Sequence, residues 1–318
     1  MFDLVGKRYL WFAISLLLIV PGLIFLFLPG GLRVGVDFSG GTLWEFQIPD
    51  RSEPVPASEI AAIFETQGVE VSTPVVSPPD QQQQVLVTVR SREVPSEDAR
   101  RQQVVEALSA SFPGTVVTQF ETVGATVSRE STQQAIVAVL AALLAILGYL
   151  TLSFRKAPHP WRFGVCVFIA IVHDVLVVIG VAAILGYFIG LEVDALFLTA
   201  LLTIISFSVQ DKIVVFDRVR ENLLQRRTGQ SFEQIVNLAI VQTMTRSLNT
   251  QLTTFLTLIA LLLFGGASIR NFVLILLIGL VSGTYSSLFN AAQLLVVWEN
   301  GWSNDWRRFF GRSQPAAI

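Results

Sequence analysis

The chain has 318 residues, of which 52% are hydrophobic and only 14% charged, with a net charge of −2. Soluble domains carry about 25% charged residues, so the composition excludes an ordinary soluble protein and leaves no basic surface for nucleic acid. One cysteine, Cys166, excludes an intramolecular disulfide; two histidines, with no Cys/His cluster, phosphate-cradling loop or dinucleotide fingerprint, give no reason to expect a cofactor or metal.

The first apolar run, Tyr9 to Leu28, follows Lys7 and Arg8. A secretory signal also has a basic start and an apolar stretch. This run is longer than a signal core and ends in Phe27-Leu28-Pro29-Gly30-Gly31, so it reads as a retained anchor, with 1–29 as N-terminus and first span. It opens onto Asp37-Phe38-Ser39-Gly40-Gly41-Thr42. Paired glycines permit a tight turn with positive φ, and Asp37 is expected to accept backbone amides there, which makes the segment a hinge-side connector and not a proton site.

Residues 30–130 are polar and alternate in short segments. Strands are predicted at Leu43–Ile48, Val69–Val76 (ending at Pro78-Pro79), Val85–Arg90 and Val116–Val123. Helices are predicted at Ser58–Gln67, with Ile60, Ile63 and Phe64 on one face, and at Ser96–Phe112, with Ser96 as N-cap and Val104, Val105 and Leu108 on one face. The order β-α-β-β-α-β predicts one external α+β domain of ferredoxin-like arrangement between the first two membrane helices.

Five further apolar runs, near 132–153, 162–189, 193–215, 248–266 and 271–298, complete six transmembrane helices, with 131–298 as a bundle and 299–318 as a tail. Arg155, Lys156, Arg162, Arg218, Arg220, Arg226, Arg227, Arg246, Arg307, Arg308 and Arg312 then fall on one side with Lys7 and Arg8. Positive charge stays inside, so both termini are expected in the cytoplasm and the polar domain outside. Between 217 and 246, Phe232, Ile235, Val236, Ala239 and Ile240 keep helical spacing, predicting an amphipathic helix along the cytoplasmic face. Trp298, Trp302 and Trp306 read as an interface belt.

Polar groups inside spans are costly and are the default functional candidates. In the fourth run Thr199, Thr203, Ser206 and Gln210 form a stripe followed by Asp211 and Lys212. Two readings stand: Asp211 exchanges a proton in a partly wet site, or both residues lie at the boundary with Lys212 reaching the headgroups. The fifth run opens on Arg246 and carries Thr250, Thr253, Thr254 and Thr257, as a proton wire or as helix-to-helix hydrogen bonds. His173-Asp174 in mid-span three serves either a structural pairing or a proton relay. In the sixth run Gly279 and Gly283 form a packing surface ahead of Thr284-Tyr285-Ser286-Ser287. No nucleophile–base set is visible, so an enzyme is not expected.

Four of these segments resemble the SecD/SecF protein-export family, and the length and six-span plan resemble its SecF branch. They are Asp37 to Thr42 for D-F-x-G-G-T, Asp211 and Ile213 to Glu221 for the fourth-span motif, Arg246 to Thr250 for R-[ST]-[IL]-N-T, and Gly283 to Ser287 for G-T-Y-S-S. The resemblance implies a fold related to the RND transporters, a location in the bacterial cytoplasmic membrane (or a thylakoid membrane in a cyanobacterium), and partnership with SecD, the SecY-E-G translocon and unfolded preproteins. It further implies use of the proton motive force, with Asp211 and Arg246 linked to proton transport. Three segments depart from the pattern: Asn-Asp-Thr is here Gln210-Asp211-Lys212, the V-G-P-x-V-G before the second span is here Val123-Gly124-Ala125-Thr126-Val127-Ser128, and Gln251 replaces a small residue. A small-molecule exporter and a passive scaffold of the translocon are the competing classes.

Overall fold

The computed structural model describes residues 3–50, 53–72, 74–77, 79, 83–95, 98–155, 159–302 and 305–306. Ser96, Pro78, Lys156, Arg307, Arg308 and Arg312, invoked above, lie outside them. In chain order the elements are α1 (Arg8–Phe27), β1 (Arg33–Val34), α2 (Val36–Ser39), β2 (Gly41–Ile48), α3 (Ala57–Thr66), β3 (Val75–Val76), β4 (Val85–Ser91), α4 (Ala99–Ser111), β5 (Val116–Val123), α5 (Ala125–Ser153), α6 (Pro160–Ile189), β6 (Glu192–Val193), α7 (Ala195–Leu224), α8 (Phe232–Phe264), α9 (Ala267–Ser286) and, after a π-helical segment at Ser287–Ala291, α10 (Ala292–Asn300). They divide into two units, one made of Pro29–Ala138 with Leu185–Ala195 and the other holding the rest.

The smaller unit is built on a four-stranded antiparallel sheet in the order β3-β4-β2-β5. Alternation turns Trp44, Phe46 and Ile48 of β2 and Val85, Val87 and Val89 of β4 to one face. There they pack with Ile60 and Phe64 of α3 and Val104 and Leu108 of α4 into one core. Trp44 stacks edge-on against Phe64 and donates its indole N–H to Ser91 Oγ at 3.0 Å. The strand expected over Val69–Val76 pairs only at Val75–Val76, with a single bridge at Val71. The second helix begins after Asp98, whose carboxylate accepts from the Arg100 backbone amide.

Ahead of this sheet, α2 is a single turn that Gly40 and Gly41 end at φ +73° and +109°. The turn's own amides bond backward, Ser39 N–H to Gly35 O and Gly40 N–H to Val36 O. Asp37 therefore does not accept them, contrary to expectation. Its Oδ2 accepts instead from the amide of Ala195 at 2.8 Å, the first residue of α7. An acid at that end satisfies an orphan donor and complements the helix dipole. Beside it β1 and β6 pair in parallel, Arg33 with Glu192 and Val34 with Val193.

Among the described residues, six helical stretches are long and apolar enough to cross a membrane. Within the helical unit α6, α7 and the α9–α10 stretch supply most of the buried residues, while α8 leaves most of its apolar surface exposed. Glycines set the closest approaches. A Cβ on Gly22 of α1 would lie 2.6 Å from Gly180 Cα of α6, a Cβ on Gly279 would overlap the Ile204 side chain of α7, and one on Gly283 would meet Ser208 Cβ at 3.3 Å. Small residues bring these backbones together where no apolar driving force separates lipid from protein.

The amphipathic segment expected to lie along the membrane face is not a separate element. Residues from Phe232 onward form the first turns of α8, which runs unbroken to Phe264 behind a Ser231–Gln234 capping box. Ile235, Val236, Ala239 and Ile240 are buried, so their periodicity records packing inside the protein and not contact with headgroups.

Candidate functional site

The fourth apolar run explains its own divergence: neighbours on an α-helix point about 100° apart, so Asp211 and Lys212 address different partners. Asp211 faces α8, where Gln251 Nε2 donates to its Oδ2 at 2.8 Å and Ser247 is buried alongside. Arg246 is within electrostatic reach of this carboxylate. The amide oxygen of Gln251 is buried without a partner among the described residues.

Lys212 turns the other way and is wholly buried. Its ammonium pairs with Asp174 Oδ2 of α6 at 2.6 Å and also donates to Ser286 Oγ at 2.8 Å and to Ser208 Oγ. Three N–H groups meet three acceptors, which is all an ammonium has. The snorkelling alternative is thereby corrected: the chain end is tied to an acid inside the bundle.

Asp174 is saturated in turn. Ser208 (2.5 Å), Ser286 (2.7 Å) and Lys212 donate to Oδ2, while His173 Nδ1 (3.0 Å) and Ser282 (3.2 Å) address Oδ1. A carboxylate offers about four lone-pair positions, so this one has no acceptor capacity left. Burying one unpaired charge costs several kcal/mol, on the order of the stability of a whole domain. Full pairing is what makes the depth tolerable.

Beyond Asp174 the polar chain continues through His173. Its Nε2 lies 3.2 Å from Asn290 Nδ2, which also donates to Ser15 Oγ of α1 at 2.7 Å. Ser15 reaches the Tyr285 hydroxyl at 3.4 Å, and Tyr285 donates to the Trp11 carbonyl at 2.6 Å. Asn290 belongs to the π-helical Ser287–Ala291, a widened turn that recurs at functional positions.

The remaining candidates lie elsewhere. Gln210 is exposed, as are Thr199 and Ser206, and with the half-buried Thr203 they line a shallow groove of about 440 Å³. Thr250 and Thr254 bond back to the carbonyls of Arg246 and Thr250, so their hydroxyls serve their own helix. Gly279 and Gly283 face α7, and Asp37, Gly40 and Gly41 lie in the smaller unit. Ser15, Ser208, Ser282 and Asn290 were not singled out from the sequence. The available signal was an isolated Asn within an apolar run, which is costly unless something pairs with it.

Fold and site together define a multi-pass membrane protein with a small sheet domain and a polar, charge-paired interior. Residues 103–301 match the family described as protein export membrane protein SecD/SecF, C-terminal. The chain is 48% identical to the protein translocase subunit SecF of Thermobaculum terrenum, covering 100% of this chain and 99% of that protein. It is similar to the crystal structure of SecDF, a translocon-associated membrane protein from Thermus thermophilus, with TM-score 0.80 and 33% identity over 94% of this chain. A second SecDF structure, in a super-membrane-facing form, matches at TM-score 0.63 and 30% identity over 96% of this chain. The chain spans 39% and 40% of those two longer chains. The chain belongs to the SecD/SecF protein-export family, on its SecF side.

Proposed function

We propose that this auxiliary subunit of the Sec translocase uses the proton motive force to promote preprotein movement across the membrane, acting with a SecD partner at the SecY-E-G translocon. The observation that carries the proton reading is Asp211, a buried carboxylate on a membrane helix whose neighbour Lys212 is committed to Asp174. The α8 groups beside it, the Gln251 amide and the buried Ser247 hydroxyl, are both neutral, so protonation removes a charge without breaking an ion pair.

One elementary charge moved through 100 mV is worth about 2.3 kcal/mol, the scale on which a two-state helix arrangement is biased. Fused SecDF chains among the relatives favour the SecD partnership. The smaller domain, 30–130, is read as external and ferredoxin-like, with both termini cytoplasmic; its strand order and its two helices over one face support that topology. Reconstituted translocase bearing Asp211→Asn is expected to lose proton-stimulated export. Export that responds undiminished to the gradient would remove Asp211 from the mechanism, and export indifferent to uncouplers in the parent protein would favour a scaffold.

A further inference from the structure

The hydrogen bonds around His173 can be arranged in two different ways. Asp174 is ion-paired with Lys212 and accepts from His173 at Nδ1, so Nδ1 carries a hydrogen whichever state the ring is in. The variable atom is Nε2. Facing it, 3.2 Å away, is the amide end of Asn290, and that same end meets Ser15 Oγ at 2.7 Å. With a neutral ring, Nε2 accepts from Asn290 Nδ2, and Ser15 Oγ takes the second N–H of the same amide.

Asn290 is 6% exposed, and its Oδ1 has no partner among the described residues. No partner on that side holds the amide in one orientation, and the two ends of an amide occupy nearly the same shape. Turned end for end, Asn290 places Oδ1 where Nδ2 was. It then accepts from a protonated Nε2 and from the Ser15 hydroxyl, whose hydrogen leaves Tyr285. Tyr285 keeps its own bond to the Trp11 carbonyl. The charged and polar groups near the ring are Asp174 on α6, Lys212 on α7 through Asp174, and Tyr285 on α9, whose ring centre is 6.4 Å from that of His173.

We propose that His173 is a second proton-binding site of the bundle, with Asn290 as its reversible hydrogen-bond partner. A hydronium ion gives its proton to the Nε2 lone pair and leaves as water, the Asn290 amide turns, and the Ser15 hydroxyl reorients from Tyr285 to Asn290. No covalent bond other than N–H forms, and the reverse sequence releases the proton. The Asp174–Lys212 pair takes no part in the rearrangement, because every donor and acceptor between them is already engaged. The inference rests on the proton-driven reading only for the use made of the proton; binding at His173 stands separately.

The chain's only other histidine is His159, so the variant His159→Asn leaves one imidazole to observe. Full-length protein carrying it, labelled with ¹⁵N-histidine in lipid nanodiscs, is examined by solid-state NMR between about pH 5 and 8. The expected result is an Nε2 signal that gains its hydrogen in acid while Nδ1 stays protonated throughout. Asn290→Leu removes the acceptor and is expected to lower the protonated-to-neutral ratio about tenfold at a given pH. Asn290→Asp, which presents oxygen either way, is expected to raise that ratio, and decides the matter if the leucine variant does not fold. An Nε2 that never changes state, or a ratio indifferent to both substitutions, overturns the proposal. The spectra of Asp211→Asn separate the two readings. An unchanged His173 response supports this site whatever export does, and a response lost with Asp211 overturns His173 as an independent site.

Discussion

Lys212 Nζ lies 2.6 Å from Asp174 Oδ2 with both side chains sealed from solvent, so a full positive and a full negative charge share one pocket inside the helix bundle. Such a pair is worth little against a neutral replacement, but breaking it by half is severe. Lys212→Met is expected to cost about 3–5 kcal/mol, and the double variant Asp174→Asn/Lys212→Met to recover most of that loss. Thermal unfolding in detergent across the double-mutant cycle measures this. Simple additivity of the two single effects would refute the pairing.

Acid sensitivity is expected at the Arg8–Asp305 contact. Burial alone would push the Asp305 carboxyl up, but hydrogen bonds from Arg8, Asn300 and Tyr9, with the adjacent guanidinium charge, hold it below the usual carboxylate range. A folded value below the unfolded one gives stability that is fully present above the ordinary carboxylate range and is lost as pH falls through the depressed value. Asp305→Asn is therefore expected to destabilise the protein at neutral pH, with the gap from the parent closing in acid. A gap that stays constant with pH would show that Asp305 contributes through packing alone.

Gly40 and Gly41 are expected to differ when replaced by alanine. Both have positive φ, but Gly40 at +73° is near the left-handed region that other residues visit, whereas Gly41 at +109° is not, and a Cβ there would sit 2.6 Å from the Ser91 carbonyl. Gly40→Ala is expected to cost about 1 kcal/mol and Gly41→Ala more, toward 3 kcal/mol. The order of their unfolding midpoints checks this; equal midpoints would contradict it.

At the crossing of α1 and α6 the two glycines meet backbone to backbone. Gly22→Ala or Gly180→Ala is expected to force the helices apart, at a cost of about 1–3 kcal/mol typical of overpacking. A disulfide probe is a convenient second measure: cysteines placed near the crossing should cross-link more slowly once either alanine is present. Unchanged rates in both variants would show that the crossing is looser than its geometry.

Much of this was legible from periodicity. Alternation at Leu43–Ile48 and Val85–Arg90 and the apolar runs announced β2, β4 and the six spans, because each pattern repeats over enough residues to exclude the other period. Two features fell outside its reach. Phe232–Ile240 looked like a surface helix because a buried face and a membrane-facing face share one spacing, and only tertiary contact tells them apart. Asp37 looked like a turn acid because its partner, Ala195, is 158 residues away.

The candidate site was legible in composition but not in pairing. Asp174, Asp211 and Lys212 were conspicuous as charges in apolar runs, yet a one-dimensional sequence places Lys212 beside Asp211 while the helix turns it toward Asp174. Ser208 and Ser282 escaped notice because serine is common in spans, and their meaning here comes from converging with Ser286 on one carboxylate from two helices.

The three serine- and aspartate-borne acceptors around Lys212 make its pocket a counting device as well as an electrostatic one. Arginine would bring the same charge, but with five N–H groups in a rigid planar fork, and the enclosure offers acceptors for three. The surplus hydrogens would be stranded away from water. At this depth the residue is chosen by the number of its hydrogens, and the exchange usually regarded as conservative is the one the pocket excludes.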